Sequence, residues 1–267
     1  MRQKVSFFIL TLNEEKNIEA CLKSIAWADE IVIGDTGSTD NTLKIARKYT
    51  KKIYRIPFLG HAKSKEMLSK KTTNEWVFSF DADERVTELL KKEIIDFLQN
   101  DPKTGAYEGM RVLRWNYFWG KPMHCWHPDY QMRFYRKSRG KWNSANIHCG
   151  VMLQGKTISS ENYFEHYTDP DLFQFLRKMN PYTTSDAVDL TANPEKMKKV
   201  GVGAAYLRGI ATFCKFYIAR RGFMDGKAGF VLSFYLAIHN ITRYLKAYEF
   251  KTGISKVPPL EKMKSIF

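Results

Sequence analysis

Four cysteines in 267 residues, none in a C-x-x-C pair, argue against a disulfide framework. No segment approaches the roughly 20 consecutive apolar residues that a membrane-spanning helix requires. The start, Met1-Arg2-Gln3-Lys4 before a strand-like run, has too short an apolar core for a signal peptide. The expected compartment is therefore the cytoplasm, with reduced thiols. Internal repeats and low-complexity segments are absent from the sequence, which excludes solenoids and disordered tracts. Acid is also scarce: 28 Asp and Glu stand against 43 Lys and Arg, a formal net charge of +15. The last 98 residues hold 16 of those cations and only 7 of the acids. A basic region set among aromatic and aliphatic residues suits anionic lipid or nucleic acid.

What remains is an ordinary globular composition, 44% hydrophobic and 27% charged, in a chain long enough to bury a large core. Val5 to Leu10 is a β-rich run. A helix is expected from about Glu14 to Ile25, with Asn13 as its cap and Ile18, Cys21, Leu22 and Ile25 at helical spacing. Glu30 to Ile33 reads as a second strand, a Gly-Ser-Thr-Asp turn follows, and Leu43, Ile45 and Ala46 mark another helix. Strands at Lys52–Ile56 and Glu75–Phe80 complete a β-α alternation, which implies right-handed crossovers and a mostly parallel sheet. From Tyr107 to His166 the pattern turns to aromatic, Arg-rich segments such as Trp115-Asn116-Tyr117-Phe118-Trp119 and the alternating Asp129 to Arg136. Beyond Asp169 the signal is helical.

Ligands on parallel sheets lie beyond the carboxyl ends of the strands. Three polar clusters sit at those ends: Thr11-Leu12-Asn13-Glu14-Glu15, Asp35-Thr36-Gly37-Ser38-Thr39-Asp40 and Asp81-Ala82-Asp83-Glu84. The last follows the apolar Trp76-Val77-Phe78, so a buried strand delivers three carboxylates within four positions. Carboxylates one residue apart can share Mg²⁺ or Mn²⁺ together with a substrate diphosphate. The same residues would also make a good helix start. His124, Cys125 and His127 are close enough to suggest zinc, but no second ligand pair follows.

Those three clusters, with Gln131-Met132-Arg133-Phe134-Tyr135-Arg136 and Arg220-Arg221-Gly222-Phe223-Met224-Asp225-Gly226, resemble the family 2 glycosyltransferases of GT-A fold. The likeness is strongest to small bacterial enzymes of lipopolysaccharide core biosynthesis, over roughly residues 5 to 250. It implies an α/β, Rossmann-like GT-A fold: a mostly parallel central sheet flanked by helices, with a C-terminal helical extension. Residues 1–168 would form the catalytic domain, 1–105 as donor half and 106–168 as acceptor half, and 169–267 a basic amphipathic helical region. The activity implied is an inverting, metal-dependent, hexosyltransferase-type transfer from a nucleotide-sugar, a UDP-sugar, to a lipid-linked glycan acceptor. Thr11, Asn13 and Glu14 would line the nucleotide pocket, and Asp35 would take the donor base or ribose. Asp40 reads as a helix cap instead. Asp83, helped by Asp81, would hold the divalent cation, Mg²⁺ or Mn²⁺; the alternative for Asp81 is the donor ribose or a metal-bound water rather than the ion itself. Arg133 and Arg136 have odd spacing on a strand, so Arg133 can reach the diphosphate while the other faces away.

An inverting transfer also needs a base for the acceptor hydroxyl. Relatives commonly carry His-Glu where this chain has His148-Cys149, and a thiol near pKa 8.5 is a poor substitute for that Glu. Asp129 and His148 are the leading candidates, with Glu84 and Glu165 behind them. The substitution also motivates a second reading, a catalytically degenerate relative. In the C-terminal third, Tyr206-Leu207, Ile210, Phe213 and Tyr217-Ile218 make an apolar helical face closed by Arg220-Arg221. That combination fits helices lying on an anionic membrane, here the inner face of the cell membrane. A basic nucleic-acid-binding protein is the alternative, with a steep salt dependence. The carboxylates at the strand ends would repel phosphate unless a metal intervenes, so no nucleic-acid partner is expected.

Overall fold

Strand β1 (Val5–Thr11) shows why its sequence reads as an almost unbroken apolar run: both of its faces are covered. Phe7 and Ile9 join Ile18 and Leu22 of helix α1 (Ile18–Ser24) and Leu90 and Ile94 of α4 (Glu88–Gln99) in one core cluster. Phe8 belongs to a second cluster with Leu68 of α3 (His61–Ser69). Phe7 stacks on Phe78 at 4.7 Å, and full burial of each such ring contributes about 1.5–3 kcal/mol. The computed structural model describes residues 2–100, 105–143, 150–167 and 171–258. Among them the chain divides into two compact units, Met1–Trp115 with Pro128–Tyr167, and Asn116–His127 with Thr168–Phe267.

In the first unit β2 (Glu30–Asp35), β3 (Ile53–Arg55) and β4 (Trp76–Asp81) join β1 in the expected parallel array, in the order β3-β2-β1-β4. Beyond β4 the sheet continues through β8 (Tyr130–Arg136), β6 (Gly109–Phe118), β11 (Thr157–Tyr167) and β5 (Glu84–Val86). The β4–β8, β8–β6 and β11–β5 pairings are antiparallel. A short β9–β10 hairpin (Gly140–Trp142, Val151–Leu153) stands apart from this sheet.

One local expectation fails. Helix α1 begins at Ile18 rather than near Glu14, and Asn13 is not its cap. Asn13 instead adopts φ 53°, a conformation that Asn tolerates better than most residues. Residues 13–15 are recruited across to the loop after β2, and that tertiary demand outweighs the local preference for helix.

In the second unit, the end of β6 and β7 (Lys121–Pro122) form a hairpin whose Phe118 and Met123 pack with Ala228 and Leu232. Helices follow over Leu172–Thr191, Pro194–Lys198, Val202–Phe213 and Gly226–Thr252, the third ending in a π-helical segment, Cys214–Ala219. Asp225 of the Arg-Arg-Gly-Phe-Met-Asp-Gly stretch ties the hairpin down. Its buried carboxylate accepts the amides of His124 (3.1 Å) and Cys125 (3.0 Å) and contacts His124 Nδ1 at 2.7 Å. A Cβ at Gly229 would lie 1.9 Å from the Gly222 carbonyl, a backbone atom that cannot swing away. Gly229→Ala is accordingly expected to cost about 1–3 kcal/mol, read as a lower thermal midpoint. An unchanged midpoint would mean that this approach of helix and turn is not tight.

Candidate active site

The strand order reverses between β1 and β4, because the chain runs outward through β2 and β3 and returns on the other side of β1. Crevices at the carboxyl edge of such switch points are where α/β sheets bind ligands. The register Leu10↔Asp81 and Thr11↔Asp35 puts all three polar clusters at this one edge.

On the β1–β2 side the polar residues are largely knitted to one another. Asn13 Oδ1 accepts the Thr39 amide at 2.8 Å, and the Asn13 amide donates to Ser38 Oγ at 3.0 Å. The Glu14 amide donates to Thr42 Oγ1 at 2.7 Å, while its carboxylate accepts from Asn17 at 2.8 Å. Asp35 is buried, and its two oxygens accept the amides of Gly37 (3.1 Å) and Ser38 (3.0 Å). That is the turn-capping geometry, which also fixes the carboxylate in place at the strand end. Asp40 accepts the Thr42 amide at 2.9 Å just ahead of α2 (Thr42–Ala46), whose N-cap position is Asn41 rather than Asp40. Burial would raise the Asp40 carboxyl, but its bonds to Thr42 and to the Glu15 amide outweigh that and lower it. Thr11 differs from these neighbours: its Oγ1 is buried and has no hydrogen-bond partner among the described residues.

On the β4 side the motif splits into two halves. Asp81 Oδ1 lies 2.5 Å from Lys65 Nζ of α3, and its Oδ2 lies 3.0 Å from Arg133 Nη2 of β8. The same Arg133 nitrogen donates to Glu84 Oε1 at 2.9 Å, and Glu84 Oε2 accepts the Asp81 amide at 2.8 Å. Burial alone would raise the Asp81 carboxyl, but Lys65 and Arg133 more than offset it and hold it well below the usual carboxylate range. Glu84 goes the other way: complete burial raises it against the pull of Arg133. His61, at the first turn of α3, is pushed down to about 4 by burial and by Lys65, so it is neutral at physiological pH. Asp83 faces a different partner, with its Oδ2 3.5 Å from Nε2 of His166 near the end of β11.

The edge therefore offers one carboxylate already neutralised by two cations and one beside an imidazole. Among the described residues no group of three His, Cys, Asp or Glu side chains is gathered for a metal. Asp83 and His166 nevertheless suit one: their 3.5 Å separation is within the span of two ligands about 2.1 Å from a shared ion. Mg²⁺ and Mn²⁺ take the rest of their shell from water and substrate phosphate. The arrangement fits a cation held by two protein donors.

Asp129 precedes β8, whose antiparallel pairing with β4 brings its start to the same edge. The Asp129 carboxylate accepts from Arg114 Nε (2.8 Å) and Gln131 Nε2 (2.5 Å). Glu165 accepts the Tyr167 hydroxyl at 2.9 Å. Arg136 faces away from the site as the spacing predicts, pairing with Glu108 at 3.1 Å. His148 and Cys149 lie outside the described residues. Lys65, His61 and His166 were missed from the sequence. Lys65 is one of several lysines around α3 (with Lys63, Lys70 and Lys71), and His166 ends an ordinary alternating strand, so neither carried a local signal.

An uncharacterized glycosyltransferase of Rickettsia typhi, RT0209, is 28% identical, the alignment covering 92% of this chain and 87% of that one. The lipopolysaccharide core biosynthesis glycosyltransferase LpsC of Rhizobium meliloti is 25% identical, with 92% of each chain covered. Among solved structures, S. aureus TarS 1-349 in complex with UDP-GlcNAc aligns at 16% identity with a TM-score of 0.48, over 94% of this chain and 92% of that one. The family described as Glycosyl transferase family 2 matches residues 6–161, the stretch that builds the sheet and carries its acidic edge; the chain belongs to that family and is a glycosyltransferase.

Proposed function

We propose that this glycosyltransferase moves a sugar, with inversion, from a UDP-sugar to a lipid-linked glycan such as lipopolysaccharide core, using Mg²⁺ or Mn²⁺. It would work in the cytoplasm, at the anionic inner face of the cell membrane. The observation that carries this reading is the acidic edge at the switch point, where Asp83 stands beside His166 and Asp81 is locked by Lys65 and Arg133. The resemblance to LpsC, named for lipopolysaccharide core biosynthesis, supports the acceptor class.

Thr11, Asn13, Glu14 and Asp35 form the nucleotide side of the crevice, and the buried Thr11 hydroxyl is a polar group a bound nucleotide would satisfy. Asp83, with His166 and with Asp81 nearby, holds the cation. When bound, that cation supplies Lewis-acid stabilisation of the charge gathering on the departing diphosphate. Arg133 and Lys65 keep Asp81 anionic and fixed, so it can orient the donor ribose or a metal-bound water without reorganising. The acceptor oxygen bonds to the anomeric carbon as the bond to the diphosphate breaks on the opposite face. Its proton passes to a base, for which Asp129 and His148 are the candidates. Arg114 and Gln131 orient the Asp129 carboxylate at this edge of the sheet.

Steady-state kinetics with a panel of UDP-sugars and a lipid-linked core acceptor test the reading. If Asp129 is the base, Asp129→Asn lowers kcat by about 10²–10⁴ and leaves donor KM nearly unchanged; if His148 is, His148→Ala does so instead. A product with retained anomeric configuration, or no transfer from any UDP-sugar, would overturn the proposal.

A further inference from the structure

The second unit carries exposed apolar side chains that its own fold does not use. On helix Val202–Phe213, Ala205 and Gly209 face inward, and a Cβ on Gly209 would meet Ile241 at 2.4 Å. The opposite face presents Val202, Tyr206, Leu207 and Ile210, with Leu207 69% and Ile210 62% exposed. Ile218 within the π-helical segment, and Phe223 and Met224 past it, continue the pattern, Met224 being 66% exposed. Partly exposed aromatic rings connect the turn to helix Gly226–Thr252 through the Phe213–Phe230, Tyr217–Phe223 and Phe230–Phe234 contacts. Exposed apolar side chains gathered on one helix and the turn after it suit an interaction site better than residues scattered singly.

Charge decides what would cover it. Between Glu195 and Glu249 the sequence has ten Lys and Arg and a single acid, Asp225. That acid is 1% exposed and already engaged by His124 and by the Cys125 amide, so it contributes no open negative charge. Lys215, Arg221 and Lys227 are exposed within the same stretch, and half-buried Arg220 lies over the Phe216 ring at 5.2 Å. A face that combines apolar tips, aromatic rings and cations without acids matches the boundary of an anionic bilayer. A protein partner would leave such a face with no reason to exclude acid.

We infer that the outer face of helix Val202–Phe213 and the Ile218–Met224 turn form a membrane-docking surface that inserts Leu207, Ile210, Ile218, Phe223 and Met224 among anionic phospholipids, with Lys215, Arg220, Arg221 and Lys227 at the headgroup phosphates. The inference deepens the membrane setting of the proposed function and rests on it for that setting. Its test is independent of the transfer chemistry, because it reads binding and not turnover.

The full chain is sedimented with vesicles of phosphatidylcholine alone and with vesicles containing phosphatidylglycerol. Wild type should bind the anionic vesicles more tightly, by about tenfold or more, and lose most of that preference on raising salt from about 0.1 to 0.5 M. Ile210→Ser with Met224→Ser should weaken binding to anionic vesicles by about tenfold or more. Arg221→Ser with Lys227→Ser should remove the anionic preference and leave weak binding to both vesicles. Leu89→Ser with Met152→Ser, exposed apolar residues of the first unit, serves as the control and should bind like wild type. Equal binding by the Ile210/Met224 variant, or equal loss in the control, overturns the inference. So does a self-association that the Ile210/Met224 variant abolishes in sedimentation velocity, or tighter binding to duplex DNA than to vesicles.

Discussion

Mn²⁺ is expected to tighten UDP binding to the wild-type chain, and alanine at Asp83 is expected to abolish that gain and to lower transfer by on the order of 10³-fold. Asp83 stands 3.5 Å from His166, whereas Asp81 is held by Lys65 and Arg133. Removing Asp83 would take away one of the two donors proposed for the cation. The charge on the diphosphate would then go without the ion proposed to offset it. Isothermal titration of UDP with and without Mn²⁺ reads the effect directly. Metal-free UDP affinity should change little, because Thr11, Asn13, Glu14 and Asp35, proposed to line the nucleotide, lie on the β1–β2 side and Asp81 keeps its Lys65 and Arg133 partners. Metal-dependent binding that persists unchanged in Asp83→Ala would reject the assignment and move the cation elsewhere. His166→Ala should weaken the same metal-dependent term by a smaller factor, about 10–100-fold.

Arg133→Met should be the most destabilising substitution at the site, by about 3–5 kcal/mol. The Arg133 guanidinium bridges Asp81 and the fully buried Glu84, and without it Glu84 loses the cation it is paired with in the interior. Asp81 fares better, since Lys65 remains beside it. A fall of about 10 °C in the thermal midpoint is the expected readout. Glu84→Gln in the Arg133→Met background should recover much of that loss, since the buried charge goes with its partner. If the double variant is as unstable as the sum of the singles, Arg133 and Glu84 are not coupled and their ion pair is not what stabilises the contact of β8 with β5.

Most of the parallel half of the sheet could be read in advance because strands buried on both faces must be apolar almost throughout. Val5–Leu10 and Trp76–Phe80 satisfy that with few exceptions, and the acidic residues appear where burial stops. The α1 boundary was not legible for the opposite reason. Glu14 and Glu15 have ordinary helical preference, yet their backbone amides bond to Thr42 and Asp40, more than twenty residues away in sequence. Asp225 shows a similar limit: its stretch was visible as a motif, but its tie to His124 and Cys125 spans about a hundred residues.

The sequence alone determined the family, the β-α alternation, the acidic edge and the basic, acid-poor C-terminal third, because each is written in local composition and period. Only the tertiary structure decided how the acids of that edge divide their work. Lys65 and Arg133 reach Asp81 from a helix and a strand that periodicity cannot align with it, and His166 comes to Asp83 through the pairing of β11 with β5. Pairing between distant segments sets the field at each carboxylate, and that field separates the neutralised Asp81 from Asp83, which stands beside an imidazole instead.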